Sequence, residues 1–270
     1  MTVLTTRLEK ILKNTAFVLL TSALVACQGE TSANADTAEN KTAEAKQVIT
    51  APAAVTEKKA PTTQIAQATT SEVAPSKPKP PADFSKLDSS KYQLVKEPFK
   101  VSSGDKVEVA ELFWFGCGHC FALEPHLKNW LKNKPENAKF KKVPAIFSKR
   151  WEFHAKAFYT MESLNVPDAA YDAFFTQIHV QQKQINDINA LATFLSPFGK
   201  DKTTVENAFN SFAVDSKVRN AYKITQASGA RGVPAIVVDG KYLTSQSDAG
   251  STNEMFDVVD QLVAKSASER

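Results

Sequence analysis

The stretch "KVEVAELFWFGCGHCFALEPHLKNWLKN", residues 106–133, constrains the fold of this chain more than any other. Its first part, Lys106 to Phe115, is β-branched and aromatic and reads as a central strand; Phe121 to Asn133 carries apolar residues at helical spacing. Two cysteines, Cys117 and Cys120, therefore stand where a strand turns directly into a helix. Pro125 falls inside that helix, where the missing N–H predicts a kink. A second strand candidate, "AKFKKVPAIF" (Ala138 to Phe147), follows, and strand–helix–strand units imply a parallel pair.

Helical patterns then run from Trp151 to about Ser228, over Trp151–Leu164, Ala169–Gln182, Ile188–Phe198, Lys202–Phe212 and Ser216–Ala227. Asp168, Asp187, Asp201 and Asp215 precede or open several of them and are the expected N-caps. "VPAIVVDGKYLT" (Val233 to Thr244) reads as two short strands around an Asp239-Gly240 turn. Ser251 and Glu254 form a capping box ahead of a final amphipathic helix. Without its middle, this order is that of a thioredoxin-like domain. The expected architecture is α/β: a thioredoxin-like fold built from residues 91–148 and 229–270, with an all-helical insert at 149–228 folded over it as a cap.

The N-terminal residues 1–27 have a basic start (Arg7, Lys10, Lys13) and an apolar segment, Ala16 to Ala26, the build of an export signal. That segment is too short to span a bilayer, which takes roughly 20 residues. It ends in "LVAC", which resembles the bacterial lipobox and implies that Cys27 is diacylated and becomes the new N-terminus; an ordinary signal cleaved nearby is the alternative. Residues 28–90 are rich in Ala, Thr, Lys, Glu and Pro with one aromatic, Phe84, and read as a disordered tether spanning on the order of 40 Å. The chain's net charge is only +4, which predicts no nucleic-acid partner.

With Cys27 assigned to lipid, Cys117 and Cys120 have only each other. An exported chain meets an oxidising compartment, where such a pair can close as a disulfide. A cysteine at a helix N-terminus faces unpaired N–H groups and the positive end of the helix dipole, which favour thiolate over thiol. Cys117 is placed for this, and His119 can add charge or a hydrogen bond to the same sulfur. Each unit of lowered pKa stabilises the reduced form by about 1.4 kcal/mol and makes the disulfide more oxidising. Cys120, one turn further in, reads as the buried member. A zinc site would need a second ligand pair, and the four histidines (His119, His126, His154, His179) are scattered. A purely structural disulfide gains little from so short a loop. His126, His154 and His179 read as ordinary helix residues, while Trp114 and Phe115 read either as an apolar rim or as core. Glu111, in an otherwise apolar strand, must be neutral, paired or used.

"ELFWFGCGHC" together with "RGVPAIVVDGKY" (Arg231 to Tyr242) resembles the DsbA family of periplasmic thiol:disulfide oxidoreductases, over about Lys91 to Arg270. The resemblance implies that Cys117 is the exposed nucleophile, Cys120 its resolving partner, and Gly118 and His119 the dipeptide that tunes the potential. It implies a cis peptide bond between Val233 and Pro234, lying against the disulfide. Glu111 matches the family's buried acid, which steers proton transfer at Cys120, with Glu124 and Lys142 as members of the same network. Gly-His departs from the Pro-His often found between the family's cysteines and leaves the potential open. No metal and no organic cofactor are implied beyond the Cys117–Cys120 disulfide.

The expected protein is thus a monomeric lipoprotein of the periplasm, held more in keeping with the outer than the inner membrane by Gln28 after the lipidated cysteine. It would oxidise unfolded, exported, cysteine-containing proteins and be reoxidised by a DsbB-type membrane quinone oxidoreductase. Two rivals stand beside this reading: the same fold run as an isomerase or reductase, and a non-catalytic lipoprotein that holds unfolded clients.

Overall fold

Every residue of the strand Val107–Phe113 is buried, a pattern that fits only a central strand with both sheet faces covered. The computed structural model describes residues 79–270. In chain order these form β1 (Gln93–Leu94), β2 (Val107–Phe113), α1 (Gly118–Asn133), β3 (Ala138–Pro144), α2 (Lys149–Ser163), α3 (Asp168–His179), α4 (Ile188–Leu195), α5 (Lys202–Phe209), α6 (Phe212–Ser228), β4 (Ala235–Val238), β5 (Tyr242–Ser245), α7 (Gln246–Ala249) and α8 (Thr252–Ser268). The sheet order is β1-β5-β4-β2-β3. β2 runs parallel to β3 across the α1 crossover and antiparallel to β4, with Glu111 opposite Lys142 on one side and Ile236 on the other. This is the expected thioredoxin-like sheet.

Alternation along β2 assigns the layers. Val107 and Val109 pack with Leu123, Leu127 and Trp130 of α1 and with Met255, Val259 and Leu262 of α8. Ala110 and Leu112 face the other way, onto Ala155 and Tyr159 of α2 and Val218, Ala221 and Ile224 of α6. The insert is therefore more than a cap: its first and last helices are the second layer of the sandwich. Only α3, α4 and α5 stand apart, around an aromatic core of Phe113, Phe115, Phe174 and Phe175. Leu262 is 0% exposed, so Leu262→Ala is expected to lower the unfolding free energy by about 2–5 kcal/mol. A urea midpoint that falls at unchanged slope would show it.

The caps divide. Asp187 and Asp201 accept from Ala190 N at 2.9 Å and Thr204 N at 3.0 Å, as expected. Asp168 and Asp215 are not caps. Pro167 precedes α3, and Asp168 is its first helical residue; Ser211 caps α6 by accepting from Val214 N at 3.2 Å. Both aspartates instead occupy first turns, where the helix dipole favours a negative charge. The Ser211 cap also separates α5, which ends at Phe209, from Phe212, which opens α6. α1 continues through Pro125. Asp239 and Gly240 both have positive φ, and Lys241 N donates to Val238 O at 3.0 Å, closing the hairpin turn. Ser251 accepts from Glu254 N at 3.2 Å as a capping box requires, while the Glu254 carboxylate turns to Lys91.

The domain begins before residue 91. Asp83 and Asp88 cap single 3-10 turns at Phe84–Lys86 and Ser89–Lys91. Lys79 pairs with buried Asp260 at 2.5 Å, and the other Asp260 oxygen accepts from Trp130 Nε1 at 2.8 Å. Composition assigned 79–90 to the tether because these anchors are single polar contacts with no hydropathy signal. The signal at 1–27, Cys27 and the tether up to residue 78 lie outside the described residues.

Candidate active site

β2 ends at Phe113, and the next four residues form a tight turn in which Cys117 N donates to Trp114 O at 2.9 Å. A Cβ at Gly116 would come within 2.3 Å of the Trp114 ring, so a larger residue there would displace that ring. The turn delivers Cys117 as the N-cap of α1, with extended backbone and its sulfur accepting from Cys120 N at 3.4 Å. The two cysteines are free thiols, Cys117 part-exposed and Cys120 buried. Gly118 and His119 between them are exposed.

The pair is electrostatically split. The Cys117 thiol is brought down to about 6, chiefly by the hydrogen bond from the Cys120 thiol; burial opposes this, and the backbone N–H groups of Cys120 and His119 and the His119 charge add to it. Burial drives the Cys120 thiol the other way, well above the ordinary range, and its bond to the Cys117 sulfur reinforces the shift. One sulfur is thus a stabilised thiolate at neutral pH and the other a thiol that holds its proton.

Facing Cys117 is the loop before β4. The Val233–Pro234 bond is cis, as expected, and the Cys117 sulfur lies 3.4 Å from Val233 O, to which it donates when protonated. His119, Arg231, Val233 and Pro234 line a cleft of about 680 Å³.

Beneath the pair lies a buried charge network. Lys142 Nζ donates to Glu111 Oε2 at 2.7 Å and to Glu124 Oε1 at 2.6 Å, and the Tyr171 hydroxyl donates to the same Glu124 oxygen at 3.3 Å. Lys142 also sits 4.5 Å over the Tyr171 ring. Glu111 is 0% exposed, and its Oε1 has no hydrogen-bond partner among the described residues. Burial raises the Glu124 carboxyl above its ordinary range despite the Lys142 ammonium. Burial would lower Lys142, but the two carboxylates outweigh it and its pKa rises. Glu111 and Lys142 meet because parallel register places them side by side on β2 and β3; α1 brings Glu124 over them.

Tyr171 was not legible as a member of this network, since it reaches Glu124 from α3, far along the chain. Of the three histidines read as ordinary, His126 is an exposed residue of α1, and His154 is a buried core residue bonded to Ile185 O at 3.1 Å, its pKa pushed down to about 4 by burial. His179 ends α3, and its Nε2 bonds Phe115 O at 2.8 Å, two residues before Cys117. Phe115 is core at 0% exposed, while Trp114 is part-exposed and stacks on Trp151 at 4.3 Å. Among the described residues no group of three or more His, Cys, Asp or Glu side chains is placed to hold a metal.

A thioredoxin-like sheet with a Cys-Gly-His-Cys helix start set against a cis-proline loop defines a thiol:disulfide oxidoreductase. A family model described as a DSBA-like thioredoxin domain matches residues 144–260. The thiol:disulfide interchange protein DsbA of Pseudomonas aeruginosa strain PAO1 is 36% identical over 174 residues, covering 64% of this chain and 82% of that one. That of Azotobacter vinelandii is 36% identical over 168 residues, covering 62% and 78%. The crystal structure of Pseudomonas aeruginosa DsbA superposes with a TM-score of 0.63 at 35% identity, over 67% of this chain and 95% of that one. The chain belongs to the DsbA family.

Proposed function

We propose that this chain is a disulfide donor for newly exported proteins of the periplasm, with Cys117 as nucleophile and Cys120 as its resolving partner. A client thiolate attacks the Cys117 sulfur of the oxidised enzyme. The Cys117–Cys120 bond breaks, and a mixed disulfide forms as Cys120 leaves and takes up a proton, with Glu111 and its partners Glu124 and Lys142 steering that transfer. A second client thiolate then attacks the client sulfur of the mixed disulfide, releasing the oxidised client and a Cys117 thiolate. Two electrons have passed from client to enzyme. They pass on to a DsbB-type membrane quinone oxidoreductase, which restores the disulfide.

The observation that carries the direction is the split between the two sulfurs. A leaving group stabilised as thiolate at Cys117 favours the dithiol form, so the disulfide is readily given away. Gly118 and His119 tune this balance, and the cis Val233–Pro234 loop holds the sulfur that clients reach. The same reading places the protein as a monomer tethered by lipid on Cys27, on the outer membrane in preference to the inner, with no metal or organic cofactor.

Equilibrating the protein with defined glutathione ratios tests the direction. The reading expects the enzyme to remain reduced at ratios where glutathione itself is substantially oxidised. An enzyme that stays oxidised under strongly reducing ratios would be a reductase, and the proposal would fail.

A further inference from the structure

We propose that His179 is a positioning residue that sets the redox equilibrium of the Cys117–Cys120 couple by gripping both flanks of the cysteine motif. On the upstream flank its Nε2 lies 2.8 Å from the carbonyl oxygen of Phe115. A carbonyl only accepts, so the ring carries its proton on Nε2 and donates it. On the downstream flank the imidazole stacks on Phe121, the residue after Cys120, with ring centroids 5.1 Å apart and planes 9° from parallel. Phe175, one turn earlier on α3, backs the imidazole at 6.0 Å. His179 ends α3, so the contact ties the helical insert directly to the redox loop.

Phe115 is a central residue of the turn closed by Cys117 N and Trp114 O. Holding its carbonyl holds the turn that aims Cys117 at the N-terminus of α1. The two redox forms depend on this aim unequally. In the oxidised form the covalent bond to Cys120 keeps the sulfur in place. In the reduced form the sulfur's negative charge relies on non-covalent aim alone: the hydrogen bond from the Cys120 thiol first, then the N–H groups of Cys120 and His119 and the His119 charge. A looser turn therefore weakens the dithiol form more than the disulfide form. The inference rests on the thiol–disulfide chemistry of the site and not on its direction in the cell.

Three full-length proteins, wild type, His179→Phe and His179→Gln, are compared in glutathione redox buffers. His179→Phe keeps the stack and removes the donor; His179→Gln keeps a donor and removes the stack. One hydrogen bond predicts that His179→Phe lowers the equilibrium constant for reduction by glutathione roughly three- to tenfold. His179→Gln is expected to lose less than half of that shift on a logarithmic scale. A change below about threefold in His179→Phe, or an equal or larger change in His179→Gln, overturns the proposal. Should either variant fail to fold, isotope-labelled wild type decides: a scalar coupling from His179 Nε2 to the Phe115 carbonyl carbon is expected, and a fast-exchanging ring proton without that coupling overturns it. The wild-type constant alone tests disulfide donation, and the variant-to-wild-type ratio alone tests His179.

Discussion

Reduced protein titrated from about pH 3 to about pH 9 is expected to gain ultraviolet thiolate absorbance with a midpoint at about 6, against an ordinary thiol value of 9.0. Cys117→Ala removes the whole transition, because burial keeps Cys120 protonated throughout that range. A stability signature follows. The folded pKa of Cys117 lies below its unfolded value, so the reduced fold gains stability as pH rises from about 6 towards 9 and loses that gain as pH falls through 6. The oxidised protein has no such thiol. Its stability relative to the reduced form should therefore fall across the same window. A midpoint near the ordinary thiol value would mean that the Cys120 thiol and the start of α1 do not hold the Cys117 charge.

Lys142→Met is expected to cost about 3–5 kcal/mol of unfolding free energy, because it leaves Glu111 and Glu124 buried with no cation. Lys142 is the cation that both carboxylates share. Glu111 already has one oxygen without a partner, and Tyr171 offers Glu124 a single hydroxyl. Burial raises the Glu124 carboxyl, so this group takes up a proton early as pH falls, and the penalty in Lys142→Met should shrink towards acid. Glu111→Gln added to Lys142→Met should recover part of the loss by removing the remaining uncompensated charge. Urea unfolding of the two variants at neutral and mildly acidic pH measures both effects. A Lys142→Met protein as stable as wild type would show that the carboxylates are not ionised together in the native state.

The parts of the site that were legible in the sequence are those set within a few residues. Cys117 and Cys120 follow a strand and open a helix, and hydropathy alone reveals that junction. Asp187 and Asp201 cap through side chains that reach three residues onward, while Asp168 and Asp215 misled because a neighbouring Pro167 or Ser211 competes for the same role. Glu111 announced itself as a charge in an apolar strand. Tyr171, which bonds Glu124 in the same network, and the clamp residue His179 announced nothing, since a Tyr or a His on an amphipathic helix is compatible with many surroundings.

Sequence alone determined the α/β class, the order strand–helix–strand, helical run, hairpin and final helix, and the strand-to-helix junction where Cys117 and Cys120 stand, because strand and helix periodicity act over short spans of chain. Only the tertiary structure decided that α2 and α6 are the second layer of the sandwich. It also decided that Tyr171 joins Glu124 across 47 residues and that His179 meets Phe115 across 64. Such contacts depend on how helices settle against a shared apolar core. That packing is satisfied by volume and burial over the whole insert, and it leaves no local pattern at the residues it brings together.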